Sequence, residues 1–139
     1  MDLQNIQLDI NKIFLQNIKI KNKLDKHNTI QKEISNLAKK YNLTSELEYR
    51  IFYNNRSSKI DIVWHKNNRP FIAIEVDSSL REKSIEKLLL IDCKYKLWLY
   101  YGKKKLDFYN FIDNYDSEKK IIYIIPFVDW YIINPYRLR

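Results

Sequence analysis

The chain has 139 residues, a length that suits one domain with a core of its own. Its single cysteine, Cys93, excludes a disulfide framework and indicates a reducing, cytoplasmic compartment, and no apolar run approaches the roughly 20 residues that span a bilayer. The formal net charge of +8 and the 14% of aromatic residues favour a polyanionic partner such as nucleic acid, although a lysine-rich proteome explains the charge equally well. Gly102 is the only glycine, which excludes the Gly-rich phosphate loops and dinucleotide motifs that need several.

The N-terminal part of the chain predicts two helices. Residues 3–25 carry apolar side chains at spacings of three and four, as in an amphipathic helix. Residues 27–29, His-Asn-Thr, predict a break and a cap before a second helix over residues 30–41, which Asn42 closes. Residues 1–42 are therefore expected to form a helical hairpin that packs on the rest of the chain.

The remainder of the chain predicts strands with one helix among them. The expected segments are strands over residues 46–53, 59–65 and 71–77, a helix over 80–93, and strands over 96–102 and 120–126. This order, α-α-β-β-β-α-β-β, predicts a single α/β domain with one mixed central sheet flanked by helices. Residues 43–126 are its expected core, and residues 127–139 its C-terminal tail.

Two of the apolar strands carry a carboxylate each, Asp61 in KIDIVWH and Glu75 in FIAIEVD. Alternate residues of a strand share a face, so a hairpin with a five-residue loop centred on Asn68 places Asp61 opposite Glu75, with Cβ atoms about 5 Å apart. Asp77 follows on the same face. Like charges at this distance destabilise a hairpin unless a counter-charge lies between them.

This acidic group has two interpretations. Three converging carboxylates suit a hard divalent cation with oxygen ligands, Mg²⁺ or Mn²⁺. Alternatively, ordinary ion pairs satisfy the acids, and the basic residues in reach are Arg50, Lys59 and Arg81.

The arrangement of x-D-x-V-W, a turn, I-E-V-D and a helix resembles the PD-(D/E)xK nuclease superfamily, which has the restriction-endonuclease-like fold. The resemblance covers residues 43–126. It implies that Asp61 and Glu75 are metal ligands and that the carbonyl group of Val76 joins the metal shell. It also suggests Glu48, on the preceding strand, as an outer acid.

The chain departs from this superfamily at Asp77, which stands where a lysine usually positions or polarises the attacking water. We expect the helix after Asp77 to supply that lysine. In a helical projection Lys87 lies at the edge of the apolar stripe, where its aliphatic stem is covered while its ammonium group reaches a cleft. Lys83 is the second choice and Lys59 the third, and an ordinary boundary role for Lys87 is the alternative.

The function that this resemblance implies is a Mg²⁺- or Mn²⁺-dependent endonuclease that hydrolyses DNA phosphodiester bonds, in restriction, repair or junction cleavage. Together with the strand and helix patterns above, the expected catalytic residues are Asp61, Glu75, Asp77 and Lys87, with Asp61, Glu75, Val76 and Asp77 holding the metal. The residues expected to bind the phosphates of nucleic acid are Lys59, Arg81 and Lys83, and the run 103–105 either joins them or is a solvated loop. A homodimer would suit a double-strand cut. The two rival functions are a catalytically inactive nucleic-acid-binding protein of the same fold and a protein-interaction subunit.

Overall fold

The structure is a computed structural model, and it describes residues 2–126. The side chains of residues 105 and 106 are not described, and the expected tail 127–139 lies outside the described residues. Within the described part of the chain, no helix combines the length and the apolar character needed to cross a membrane.

Nine elements of regular secondary structure and one short 3-10 helix follow one another in residues 2–126. They are α1 (Leu3–Gln16), α2 (Lys23–Leu37), the 3-10 helix Ala38–Tyr41, β1 (Thr44–Tyr53), β2 (Arg56–Lys66), β3 (Arg69–Asp77), α3 (Glu82–Leu90), β4 (Tyr95–Tyr100), α4 (Lys105–Tyr115) and β5 (Ile122–Ile124). The expected α/β class is therefore confirmed. The expected element order lacks one helix, α4.

The strands form one five-stranded sheet in the order β1-β2-β3-β4-β5. The first three strands make an antiparallel meander, whereas β3, β4 and β5 run parallel to one another. Parallel neighbours need a crossover, and the helices α3 and α4 provide the two that this sheet requires. The sheet is mixed and flanked by helices, as the sequence predicts.

Each face of the sheet is covered by one pair of helices. Apolar residues of α1 and α2, such as Ile10 and Ile34, pack on the face that carries Trp64. Residues of α3 and α4, such as Ile85 and Phe108, pack on the opposite face. The parallel strands β3 and β4 are thus buried on both sides, as expected where strands are joined by helical crossovers, whereas the edge strand β1 has no buried residue.

The break between the first two helices lies earlier than the sequence indicates. α1 ends at Gln16, and the side chain of Asn22 accepts a hydrogen bond from the Asp25 backbone N–H at the start of α2. An Asn cap satisfies one of the free N–H groups of the first turn, so α2 begins before the expected break. The residues 27–29 lie inside α2. The expected closing role of Asn42 is confirmed, since it adopts φ of 59° after the 3-10 helix.

The hairpin between β2 and β3 has a two-residue loop, so the prediction of a five-residue loop is wrong. Asn67 and Asn68 both have positive φ, 53° and 63°, as in the type I′ turns that match the twist of paired strands.

A β-bulge in β3 compensates for the shorter loop. His65 pairs with Pro70 while Trp64 pairs with Ile72, so Phe71 is an extra residue on β3. Beyond this bulge the strands return to the pairing that the longer loop would have produced. Asp61 and Glu75 therefore lie opposite each other, as expected, despite the shorter loop.

The unexpected helix α4 covers the aromatic part of the sheet. Its Phe108 stacks on Trp98 and Tyr100 of β4, with ring centroids 6.2 and 5.3 Å away. Phe108 and Ile112 are both buried and lie four residues apart, a helical spacing that was present in the sequence.

Candidate active site

Asp61 and Glu75 meet where the pairing of β2 with β3 ends. The last backbone pair is Ile62 with Ile74, and the same register continued places Asp61 opposite Glu75. Here side chains replace the backbone ladder: the Asp61 N–H donates to Glu75 Oε2 at 2.8 Å, and the Val76 N–H donates to Asp61 Oδ2 at 2.9 Å. The two carboxylates thus lie between two separating strands. We call this space around Asp61 and Glu75 the cleft.

Lys87 enters this cleft from α3. Its Nζ lies 2.6 Å from Glu75 Oε1 and donates a hydrogen bond of 2.7 Å to the carbonyl oxygen of Lys59. The side chains are 13% exposed for Lys87 and 2% for Glu75, so water screens this ion pair weakly. Among the three lysines considered from the sequence, Lys87 is the one placed against the acids; Lys83 is exposed on α3, and Lys59 contributes its carbonyl while its side chain is exposed.

The cleft gathers more carboxyl groups than basic groups. Burial raises the pKa of both Glu75 and Asp61. Repulsion from Asp61 raises the pKa of Glu75 further, and repulsion from Asp77 does the same for Asp61, whereas Lys87 opposes both shifts. One ammonium group among these carboxylates leaves the cleft suited to an additional cation.

Asp77 is placed differently from the other two acids. It is buried, and its Oδ2 accepts hydrogen bonds from Ser84 Oγ at 2.5 Å and from Trp98 Nε1 at 2.6 Å. These donors belong to α3 and β4, so Asp77 joins three elements of the fold. These contacts give Asp77 a structural role, and its role as a metal ligand beside Asp61 and Glu75 stays a prediction.

Glu48 reaches the same region through a kink in β1. Its φ is 53°, which is unusual for a non-glycine residue in a strand. Gln31, buried on α2, donates from Nε2 to Glu48 Oε1 and to the carbonyl oxygen of Asp61, both at 3.0 Å. The position suits the outer role suggested for Glu48.

Two residues of α2 at the site were missed from the sequence, His27 and Gln31. His27 Nε2 lies 3.9 Å from Asp61 Oδ1, and Gln31 follows one turn later. Their i, i+4 spacing on one helical face was the available signal. The predicted break at residues 27–29 excludes His27 from the helix that contains Gln31, so the sequence does not place the two on one helical face.

A shallow hollow opens beside the cleft. Val76, Asp77 and His27 contribute to its lining, together with Arg81 and Tyr101. Of the three residues expected to bind phosphates, Arg81 is the one that lines this hollow.

The carboxylates of the cleft can supply only part of the coordination shell of Mg²⁺ or Mn²⁺. Among residues 2–126, no group of three or more His, Cys, Asp or Glu side chains is placed to hold a metal ion. Mg²⁺ is commonly bound through one or two carboxylates, with water and substrate phosphate completing the shell. Asp61 and Glu75 fit that requirement. The carbonyl group of Val76 stays a predicted ligand, since the contact that the structure describes is made by its N–H group.

Comparisons of the chain with protein-family models, with curated proteins and with solved structures find no match. The resemblance to the PD-(D/E)xK superfamily therefore depends on the order of the elements and on the residues of the cleft.

Proposed function

We propose that this protein is a Mg²⁺- or Mn²⁺-dependent nuclease that hydrolyses DNA phosphodiester bonds, with a PD-(D/E)xK type of active site. The observation that carries the proposal is the convergence of Asp61, Glu75 and Lys87 at the point where two strands separate. The acid pair comes from neighbouring strands, and the lysine comes from the following helix. This combination supports the interpretation that the lysine absent at position 77 is supplied by α3.

The residues of the cleft have distinct roles in this proposal. A divalent ion would be held by Asp61 and Glu75. When bound, it would supply Lewis acidity toward the scissile phosphate and lower the pKa of a nearby water. Lys87 orients the attacking water and stabilises negative charge near Glu75, from which its Nζ is 2.6 Å away. No covalent intermediate is needed.

The direct test is cleavage of supercoiled plasmid by the purified protein in Mg²⁺, in Mn²⁺ or in EDTA. We expect nicking or linearisation with either metal and none in EDTA. Asp61→Asn should abolish cleavage and weaken Mn²⁺ binding. The matched control is Asp113→Asn, which changes an exposed carboxylate paired with Lys119. Cleavage by Asp61→Asn at the wild-type rate would refute the proposal.

One observation favours a second candidate, a catalytically inactive DNA-binding protein. Glu75 is already paired with Lys87, so part of the acidic charge is satisfied within the chain. Salt-sensitive DNA binding by the wild type without metal-dependent cleavage would select this candidate.

A further inference from the structure

A groove rich in lysine lies beside the cleft, between the turn joining α1 to α2 and the turn joining β4 to α4. Its volume is about 600 Å³, and none of its lining residues is acidic. Lysines from both turns and from the start of α2 line it, and we call it the lysine groove: Lys21, Lys23, Lys26, Lys103 and Lys104.

The positive charge of the lysine groove has no acidic partner in the described structure. None of its five lysines forms an ion pair with an acidic side chain described in residues 2–126. Partial burial lowers the pKa of Lys26, and the nearby charge of Lys103 lowers it further. Repulsion among these positive charges is unfavourable while the groove is empty. A bound anion would relieve it.

The two walls of the groove are held in place by packing. Lys26 Nζ lies over the rings of Phe14 and Tyr101, 5.1 and 5.4 Å from their centroids. In the opposite turn, a Cβ atom on Gly102 would overlap the Tyr100 ring, so glycine permits this close approach. The Lys104 N–H then donates to the hydroxyl group of Tyr100 at 3.3 Å.

The lysine groove is continuous with the hollow beside the acidic cleft. Lys23, Ser78, Ser79 and Tyr101 line both. The Tyr101 N–H also donates to the carbonyl oxygen of Asp77, which ties the basic turn to the end of β3. A chain of phosphates in the groove would therefore lead toward Asp61 and Glu75.

We propose that the lysine groove binds the sugar-phosphate backbone of a DNA strand and directs it into the cleft. The choice of DNA as the ligand rests on the proposed function. The inference assigns the main phosphate contacts to the lysines of the groove, and not to Lys59 and Lys83. Charges on two facing walls, together with continuity toward the acids, suit an extended polyanion.

The test compares two charge-matched double variants in DNA binding. Lys21→Glu/Lys103→Glu changes one exposed lysine on each wall of the groove, neither of which lines the hollow beside the acids. Lys32→Glu/Lys39→Glu changes two exposed lysines outside the groove and is the control. Affinity for labelled single-stranded and duplex oligonucleotides of about 16 nucleotides is measured in EDTA, over a range of salt concentrations.

We expect the groove variant to bind at least one of the two DNA forms roughly tenfold more weakly than the control does. Its slope of log affinity against log salt should be smaller by about 2, because two lysines that each neutralise a phosphate have been replaced. Equal affinities of the two variants for both DNA forms would overturn the inference. Lys21→Gln/Lys103→Gln repeats the comparison without charge reversal, and thermal denaturation establishes that each variant is folded.

The inference and the proposed function fail in different ways. If the wild type binds DNA through the groove but never cuts it with Mg²⁺ or Mn²⁺, the groove stands and the nuclease proposal fails. If the wild type cuts DNA and the groove variant binds as the control does, the nuclease proposal stands and the groove fails.

Discussion

At the scale of single residues, Lys87 supplies the positive charge that offsets the carboxylates of the cleft. Its ammonium group contacts Glu75 Oε1 and the carbonyl oxygen of Lys59, so both its position and its charge are constrained. A lysine held in this way is suited to chemistry, because its donors are oriented before a substrate binds.

We predict that Lys87→Gln slows cleavage at least about tenfold, which is about 1.4 kcal/mol in the barrier. Glutamine keeps a hydrogen-bond donor and removes the charge, so Mn²⁺ affinity should be retained. The measurement is the single-turnover cleavage rate at saturating Mn²⁺, with metal binding followed by calorimetry. Lys83→Gln is the control, since Lys83 is exposed on the same helix. Equal rates for the two variants would exclude Lys87 from the mechanism.

The acid pair also predicts how stability depends on pH. Burial is the main cause of raised pKa values in the folded protein, about 6 for Asp61 and about 8 for Glu75, against 3.8 and 4.5 as ordinary values. A raised carboxyl pKa means that folding favours the protonated form. The stability that this supplies is present at low pH and is lost as the pH rises through the folded values.

We therefore predict that the melting temperature of the metal-free protein falls between about pH 5 and pH 9. Asp61→Asn should weaken this dependence and add on the order of 1 kcal/mol of stability near pH 8, because it removes a buried charge that repels Glu75. Mn²⁺ should restore stability at high pH in the wild type and much less in the variant. Thermal denaturation in EDTA and in Mn²⁺ measures all three effects. A flat wild-type profile in EDTA would contradict this account of the cleft.

At the scale of secondary-structure elements, Asp77 joins β3 to both α3 and β4. Its Oδ2 accepts hydrogen bonds from Ser84 and Trp98, both of which are buried. A buried donor that loses its acceptor is costly, so this carboxylate stabilises the packing of the helix on the sheet.

We predict that Asp77→Ala lowers the free energy of unfolding by about 1–3 kcal/mol. Asp61→Asn is the comparison: it should raise stability at the same pH near 8, since an Asn side chain can still accept from the Val76 N–H. Urea denaturation of both variants in EDTA measures the difference. If Asp77→Ala is as stable as the wild type but loses Mn²⁺ binding, Asp77 is a metal ligand, as the convergence of the three acids on one face predicts.

At the scale of the whole molecule, the sheet separates two apolar clusters that each contain a buried tryptophan. Trp64 packs with α1 and α2, and Trp98 packs with α3 and α4. Because β2, β3, β4 and β5 contribute side chains to both clusters, neither layer of helices has a complete core without the sheet.

We predict that the two layers unfold together. In a Trp64→Phe/Trp130→Phe variant the fluorescence reports Trp98, and in a Trp98→Phe/Trp130→Phe variant it reports Trp64. Within each variant, the urea midpoint from fluorescence should coincide with the midpoint from far-ultraviolet circular dichroism. Separate midpoints within a variant would show that one layer opens independently of the other.

The sequence by itself determined the α/β class and the acid pair. Strand alternation and helical spacing depend on neighbouring residues, so they can be read along the chain. The opposition of Asp61 and Glu75 was predicted correctly even though the loop was not, because the bulge at Phe71 offsets the shorter turn. The position of Lys87 at the edge of α3 follows from the helical period in the same way.

Only the tertiary structure decided the contacts that join distant segments. Ser84 and Trp98 occupy one oxygen of Asp77, and Gln31 reaches the backbone of Asp61 across 30 positions. The lysine groove likewise assembles residues near positions 21–26 with residues 103 and 104. No local period relates such segments. Their meeting follows from how helices pack on a sheet, because burial of apolar surface brings polar side chains from separate elements to a common edge.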